Sequence, residues 1–168
     1  MRKAILSGTA LLFTISSVFA QKDIKATHYK EVGDAMPPIA IYTSRGEKIT
    51  NETVKNKANL LVMIFNPQCS HCEDMTALLE KNIGMFNKSK LLMVANSNQA
   101  PYIKNFEQSF HIDQYPTISL GLDSNLHYID KTFRYNMLPQ INIYNRKRKL
   151  IKVFTGDIVI DSLKPYIQ

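Results

Sequence analysis

The sequence predicts an α/β fold, a single domain with a central sheet flanked by helices. Three observations predict it. The apolar runs at residues 60–65 and 91–95 lack the alternation of a half-exposed strand, so each is expected to be buried on both faces. Each run is followed by a segment whose apolar residues recur at spacings of three and four, the period of an amphipathic helix. Strand, helix, strand, helix in that order implies a largely parallel sheet with right-handed crossovers. The 168 residues suit one domain with a substantial core.

The first twenty residues stand outside that domain. Arg2 and Lys3 form a charged start, residues 4–18 are mostly apolar, and Val18-Phe19-Ala20 ends on small residues at the outer positions of a cleavage site. This pattern predicts a secretory signal peptide over 1–20 and a mature domain over 21–168, periplasmic or otherwise exported. The competing reading is an uncleaved anchor, the one route by which the chain would be held in a membrane. The run is shorter than the roughly 20 apolar residues of a spanning helix and is interrupted by Ser and Thr.

Residues 21–38 are polar, end in Met36-Pro37-Pro38 and read as an extended lead-in. Residues 39–42 form a short strand, 44–47 a turn, 48–50 a second short strand and 51–57 a helical turn. The buried strand at 60–65 leads to a helix carrying Cys72, Met75, Leu79, Ile83 and Phe86 on one stripe. After the strand at 91–95, Pro101 suits the first turn of a helix with Ile103, Phe106 and Phe110 inward. Residues 112–137 are less legible: a strand over 117–120, then a helix, or a loop with a short helix, over 122–133. Residues 140–144 and 150–154 form a strand pair around Arg146-Lys147-Arg148-Lys149. Gly156 and an amphipathic C-terminal helix with Ile158, Leu163 and Ile167 close the chain.

The chemistry concentrates at Asn66-Pro-Gln-Cys69-Ser-His71-Cys72-Glu, which holds the only two cysteines. A bridge across two intervening residues closes a tiny loop and removes little entropy from the unfolded chain, so as a structural staple it would do almost nothing. The spacing instead marks a redox dithiol. Cys69, at the helix start, is exposed to the positive field of unpaired N–H groups that favours a thiolate and is the expected nucleophile. Cys72, one turn inside, is the expected resolving thiol. With no third cysteine for an internal relay, a separate protein must serve as redox donor or acceptor. His71 could stabilise the Cys69 thiolate and so favour the reduced form; the competing reading is an exposed filler of the loop.

Other chemistries fit less well. Cys69, His71 and Cys72 are too close in sequence to converge on tetrahedral zinc without a second paired cluster, and haem attachment would want His where Glu73 stands, so no metal site is expected. His28, His111 and His127 are scattered. Formal charge is +7, or +5 without Arg2 and Lys3. The basic run reads as a solvated turn whose charges discourage edge pairing, with anionic lipid or an acidic partner as the alternative. The export signal argues against nucleic acid.

From Val32-Gly33-Asp34-Ala-Met-Pro-Pro38, through the strand entering Cys69-Ser-His-Cys72, to Pro139 ahead of strand, turn, strand, Gly156 and final helix, the chain resembles the thioredoxin superfamily, and within it the exported TlpA-like thiol-disulfide oxidoreductases. The resemblance implies a thioredoxin-like fold with a central mixed sheet. It also implies a cis proline beside the dithiol, whose preceding backbone pairs with the substrate chain. Leu138 and Pro139 match that motif, with Tyr115-Pro116 as the rival. Two positions depart from the pattern: Gln68 stands where many relatives have Trp, and Met75 where several TlpA-like reductants have Glu. The implied activity is disulfide exchange with protein thiols and disulfides, in the reducing direction, with no cofactor beyond the Cys69 and Cys72 pair. Disulfide oxidation or isomerisation is the alternative, and a copper-binding or non-catalytic adaptor a further one. Peroxide reduction is disfavoured, because related peroxiredoxins set Thr and Pro ahead of the cysteine in a different loop.

Overall fold

The computed structural model describes residues 29–86 and 88–167. The expected signal peptide at 1–20 and the start of the lead-in lie outside them. Strand β3 (Leu60–Ile64) is buried at every position, as its unbroken apolar run requires. It pairs in parallel with β4 (Lys90–Ala95) and antiparallel with β6 (Gln140–Tyr144). With β1 (Ala40–Tyr42), β2 (Lys48–Thr50), β5 (Ile118–Asp123) and β7 (Leu150–Thr155) they form one seven-stranded sheet ordered β2-β1-β5-β4-β3-β6-β7. Only β3, β4 and β5 run parallel, so the sheet is mixed rather than largely parallel. The crossovers account for the parallel centre, and hairpins add antiparallel strands on both sides.

The alternating side chains of the buried strands feed two cores. Leu61, Met63, Leu91 and Met93 pack with Cys72, Met75 and Leu79 of α1 (Ser70–Lys81) and with Ile103 and Phe106 of α2 (Ala100–Ser109). Leu60, Val62, Ile64, Leu92 and Val94 meet Met36 and Ile39 of the lead-in and Ile129 and Phe133 of α3 (Tyr128–Phe133) on the other face. Gly121 of β5 lies against β1: a Cβ there would stand 2.6 Å from Ile41 Cγ2 and 2.7 Å from the Tyr42 carbonyl oxygen. The lead-in runs antiparallel to the start of β7, bridging Ala35 to Lys149. Gly33 N–H donates to Leu150 O and Leu150 N–H to Asp34 O, each at 2.8 Å.

Three element predictions change. The helix after the dithiol stops at Lys81, because the Asn82 amide turns back onto Leu78 O; Ile83–Phe86 continues as a short 3-10 helix. The strand expected at 117–120 extends to Asp123, and of the following segment only Tyr128–Phe133 is helical. The C-terminal helix is a 3-10 helix, Ile160–Tyr166, containing Pro165, whose missing N–H and ring do not suit an α-helix interior.

The basic run forms the β6–β7 turn, but Arg148 is no solvated charge. Its guanidinium donates to Val54 O, Ala58 O, Asn145 O and Asn56 Oδ1, clamping the loop before β3 to the hairpin. No helix among the described residues is long and apolar enough to cross a membrane.

Candidate active site: a dithiol at a strand-to-helix junction

The chain leaves β3 at its C-terminal end and turns at Asn66, whose side chain accepts the Gln68 N–H at 2.8 Å and whose carbonyl accepts the Cys69 N–H at 3.1 Å. This turn delivers Cys69 as the N-cap of α1 in extended backbone conformation. A cysteine there offers no capping oxygen, so N–H groups of the first turn remain directed at its surroundings. Cys69 is half-buried, Cys72 has no exposed surface, and both are free thiols. The pair is thus asymmetric, one sulfur reachable and the other enclosed beneath it.

That asymmetry is also electrostatic. Burial pushes the Cys72 thiol up to about 12, helped by a hydrogen bond to Cys69 and by the charges of Cys69 and Glu73, against an opposing backbone hydrogen bond from Asn66. Met75, where the resemblance would have allowed Glu, is 3 % exposed and part of the core, so no carboxylate enters from that position.

His71 is exposed on the first turn of α1 and turns toward the loop after β7: its Nδ1 lies 3.5 Å from Asp157 Oδ1. The two residues stand at one end of a groove of about 390 Å³ floored by Met75 and Ile158 and walled by Leu78 and Val159, the last 70 % exposed. Asp157 carries no motif of its own in the sequence; its one signal is its place directly after Gly156, whose positive φ of 69° sets the loop.

Pro139 reaches the same end of β3 by register. Ile64, the last residue of β3, pairs with Gln140, so Leu138 and Pro139 lie beside the turn that enters the dithiol. The Leu138–Pro139 bond is the cis bond among the described residues; the rival Pro116 has none. Leu138 packs on both cores, and Pro139 O accepts the Gly156 N–H at 2.9 Å, tying this loop to the Asp157 loop.

Upstream, the loop is moored by Tyr135, whose hydroxyl donates to Asp130 Oδ1, an oxygen that also accepts from Asn96 Nδ2 at 2.7 Å. His127 Nδ1 lies 3.2 Å from Asp130 Oδ2. Burial pushes Tyr135 up to about 12, with the Asp130 carboxylate adding to it. Burial works against the charged Asp130, but its hydrogen bonds with Tyr135, Asn96 and His127 outweigh this and hold it below the usual carboxylate range. His127, Asp130 and Tyr135 lie close in sequence, and the tertiary fold brings Asn96 to them.

No family model and no curated protein sequence matches the chain. Solved structures do. The thioredoxin domain of a thiol-disulfide oxidoreductase from Bacteroides vulgatus superposes with a TM-score of 0.67 at 16 % identity, over 82 % of this chain and 99 % of that one. StoA from Bacillus subtilis gives 0.61 at 16 %, over 79 % and 97 %. A secreted Mycobacterium tuberculosis disulfide oxidoreductase, described as homologous to Escherichia coli DsbE, gives 0.63 at 11 %, over 77 % and 93 %. The likeness establishes a thioredoxin-like α/β fold for this chain.

Proposed function

We propose that a protein with this fold and this dithiol is an exported, TlpA-like thiol-disulfide oxidoreductase that reduces disulfides in protein clients. The carrying observation is the asymmetry of the pair: a reachable Cys69 at a helix start above a fully buried Cys72. Cys69 as thiolate attacks one sulfur of a client disulfide; that bond breaks, its other sulfur leaves as a thiolate and takes up a proton, and a mixed disulfide remains. Cys72 then gives up its proton and attacks Cys69, the mixed bond breaks, and the second client thiol departs. The client gains two electrons and two protons, and the protein keeps a Cys69 to Cys72 disulfide. Two of the influences that raise Cys72, the hydrogen bond to Cys69 and the Cys69 charge, disappear once Cys69 is bonded to the client. Part of what holds the resolving thiol protonated is thereby removed, while burial, the larger part, remains.

The reducing direction is supported by the burial of Cys72. A dithiol gains oxidising power when its reduced form is stabilised by ionisation, and burial withholds that from the second sulfur. The segment at 1–20 supports export, and the similar Mycobacterium tuberculosis protein is described as secreted. Leu138 and the cis Pro139 would receive the client backbone, and a separate thiol protein would restore the dithiol. Oxidation or isomerisation is the second reading, favoured by a ring N–H at His71 within the dithiol loop. Equilibration with glutathione of known poise tests the proposal: a reversible two-electron couple more negative than that of glutathione supports a reductant, a more positive one the opposite direction, and no reversible bridge overturns disulfide exchange.

A further inference from the structure

Strand β6 carries two amides where a sheet interior calls for apolar side chains. Gln140 and Asn142 are 6 % and 2 % exposed, on the face opposite α1. Gln140 Nε2 donates to Asn142 Oδ1 at 3.2 Å, while Asn142 Nδ2 is buried with no hydrogen-bond partner. An unpaired buried donor costs about 1–3 kcal/mol of desolvation, so its place in the core has to be offset. Both amides line a cavity of about 280 Å³. Lys30 and Arg134 stand at it, with Asn136 and Thr155 adding polar groups, and none of its lining residues is acidic. Lys30 is itself positioned, its ammonium donating to Arg134 O at 3.1 Å. Two cations above an unpaired amide donor, with no acid among them, form a receptor for a carboxylate.

The cavity also lies where a client chain would pass. Met137 and Gln140, which flank the cis Leu138–Pro139 pair, both line it. In an extended segment paired with that loop, successive side chains point to opposite faces. A half-cystine directed at Cys69, on the α1 side, therefore sends its immediate neighbours toward the opposite face, where the cavity is. We propose that this cavity binds the carboxylate of an acidic residue next to the client's reactive half-cystine, making the protein selective for acidic client segments. The inference rests on the oxidoreductase reading and adds the substrate class.

The test uses two peptides, each carrying one cysteine blocked as a mixed disulfide with mercaptoethanol and flanked on both sides by Glu or by Gln. Reduction by the dithiol protein should favour the Glu peptide about tenfold in kcat/KM, a factor one charge-assisted contact supplies. The exposed-site double variant Lys30→Gln with Arg134→Asn should reduce the preference to under about twofold, and Asn142→Leu should weaken it without removing the rim charges. Hydroxyethyl disulfide, which has no carboxylate, should be reduced at one rate by all variants. Free acetate should slow the Glu peptide selectively. Equal rates for the two peptides, a preference that survives in the variants, or acetate slowing both peptides alike overturns the inference while leaving the oxidoreductase reading intact. Failure to reduce hydroxyethyl disulfide at all counts against that reading itself.

Discussion

His71 Nδ1 lies 3.5 Å from Asp157 Oδ1, linking the first turn of α1 to the loop that follows β7. The carboxylate stands beside the ring, which is adjacent in sequence to Cys72 and two residues from Cys69. His71→Ala should make the reduction potential more negative by about 30 mV, equivalent to about 1.4 kcal/mol for a two-electron couple, because the reduced form loses a stabilising N–H. Asp157→Asn should move it the same way by less, and should add nothing in the His71→Ala background. Redox titration of the four proteins measures the coupling. Unchanged potentials would reduce His71 to loop filler.

Cys72→Ala should accumulate mixed disulfides with clients, since the buried resolving thiol is gone, whereas Cys69→Ala should accumulate few. Non-reducing electrophoresis after exposure to disulfide-bearing proteins separates the two. Equal trapping by both variants would contradict the division of roles inferred from their burial.

Tyr135→Phe removes the hydroxyl that moors the cis proline loop to Asp130. A loss of about 1–2 kcal/mol is expected, the worth of a hydrogen bond to a charged acceptor, read as a fall in Tm of about 2–8 °C. Since folding holds Asp130 below its usual range, its contribution is complete above the unfolded value near 3.9 and is lost as pH falls through the lower folded value. The stability difference between wild type and Asp130→Asn should therefore hold at neutral pH and close in strong acid, as seen by denaturation across pH.

Arg148→Lys should cost about 2 kcal/mol, because an ammonium cannot reach the four oxygens that the guanidinium fork bonds. All four acceptors are neutral, so the loss measured in urea should change little with added salt.

Gly121→Ala should cost more than the usual glycine replacement in a strand, about 2–3 kcal/mol, since the new methyl would overlap Ile41 and the Tyr42 carbonyl. A chemical denaturation curve displaced by less than 1 kcal/mol would mean that β1 moves aside freely.

The strands and the dithiol were legible because their signals are local. An unbroken apolar run such as β3 needs no partner to be recognised, and Cys69 with Cys72 carries its chemistry in its spacing. The C-terminal helix was misjudged because the apolar spacing of Ile158, Leu163 and Ile167 outweighed Pro165, which tightens the turns. Residues 122–133 were ambiguous because α3 is short and its first residues depend on Asp123 accepting the Ile129 N–H at 3.0 Å, a contact across a loop. Arg148 looked like part of a solvated run because neither its positive φ of 56° nor its carbonyl acceptors can be read from four adjacent basic residues. Asp157 meets His71, a neighbour distant in sequence, and the place of Tyr135 depends in part on Asn96.

The lead-in bridge from Ala35 to Lys149 also bears on how an exchanger of protein disulfides, as proposed above, would stay separate from extended client segments. Clients of that kind present loose strands, and an open sheet border would capture them without chemistry. Here one border is β2, only three residues long, and the other is β7, whose first residue is bonded to the lead-in and whose Lys152 is exposed. With both borders blunted, a loose strand would have little to join except the loop at Leu138, where on the proposed function capture would coincide with the thiol that acts on it and end when the client is released.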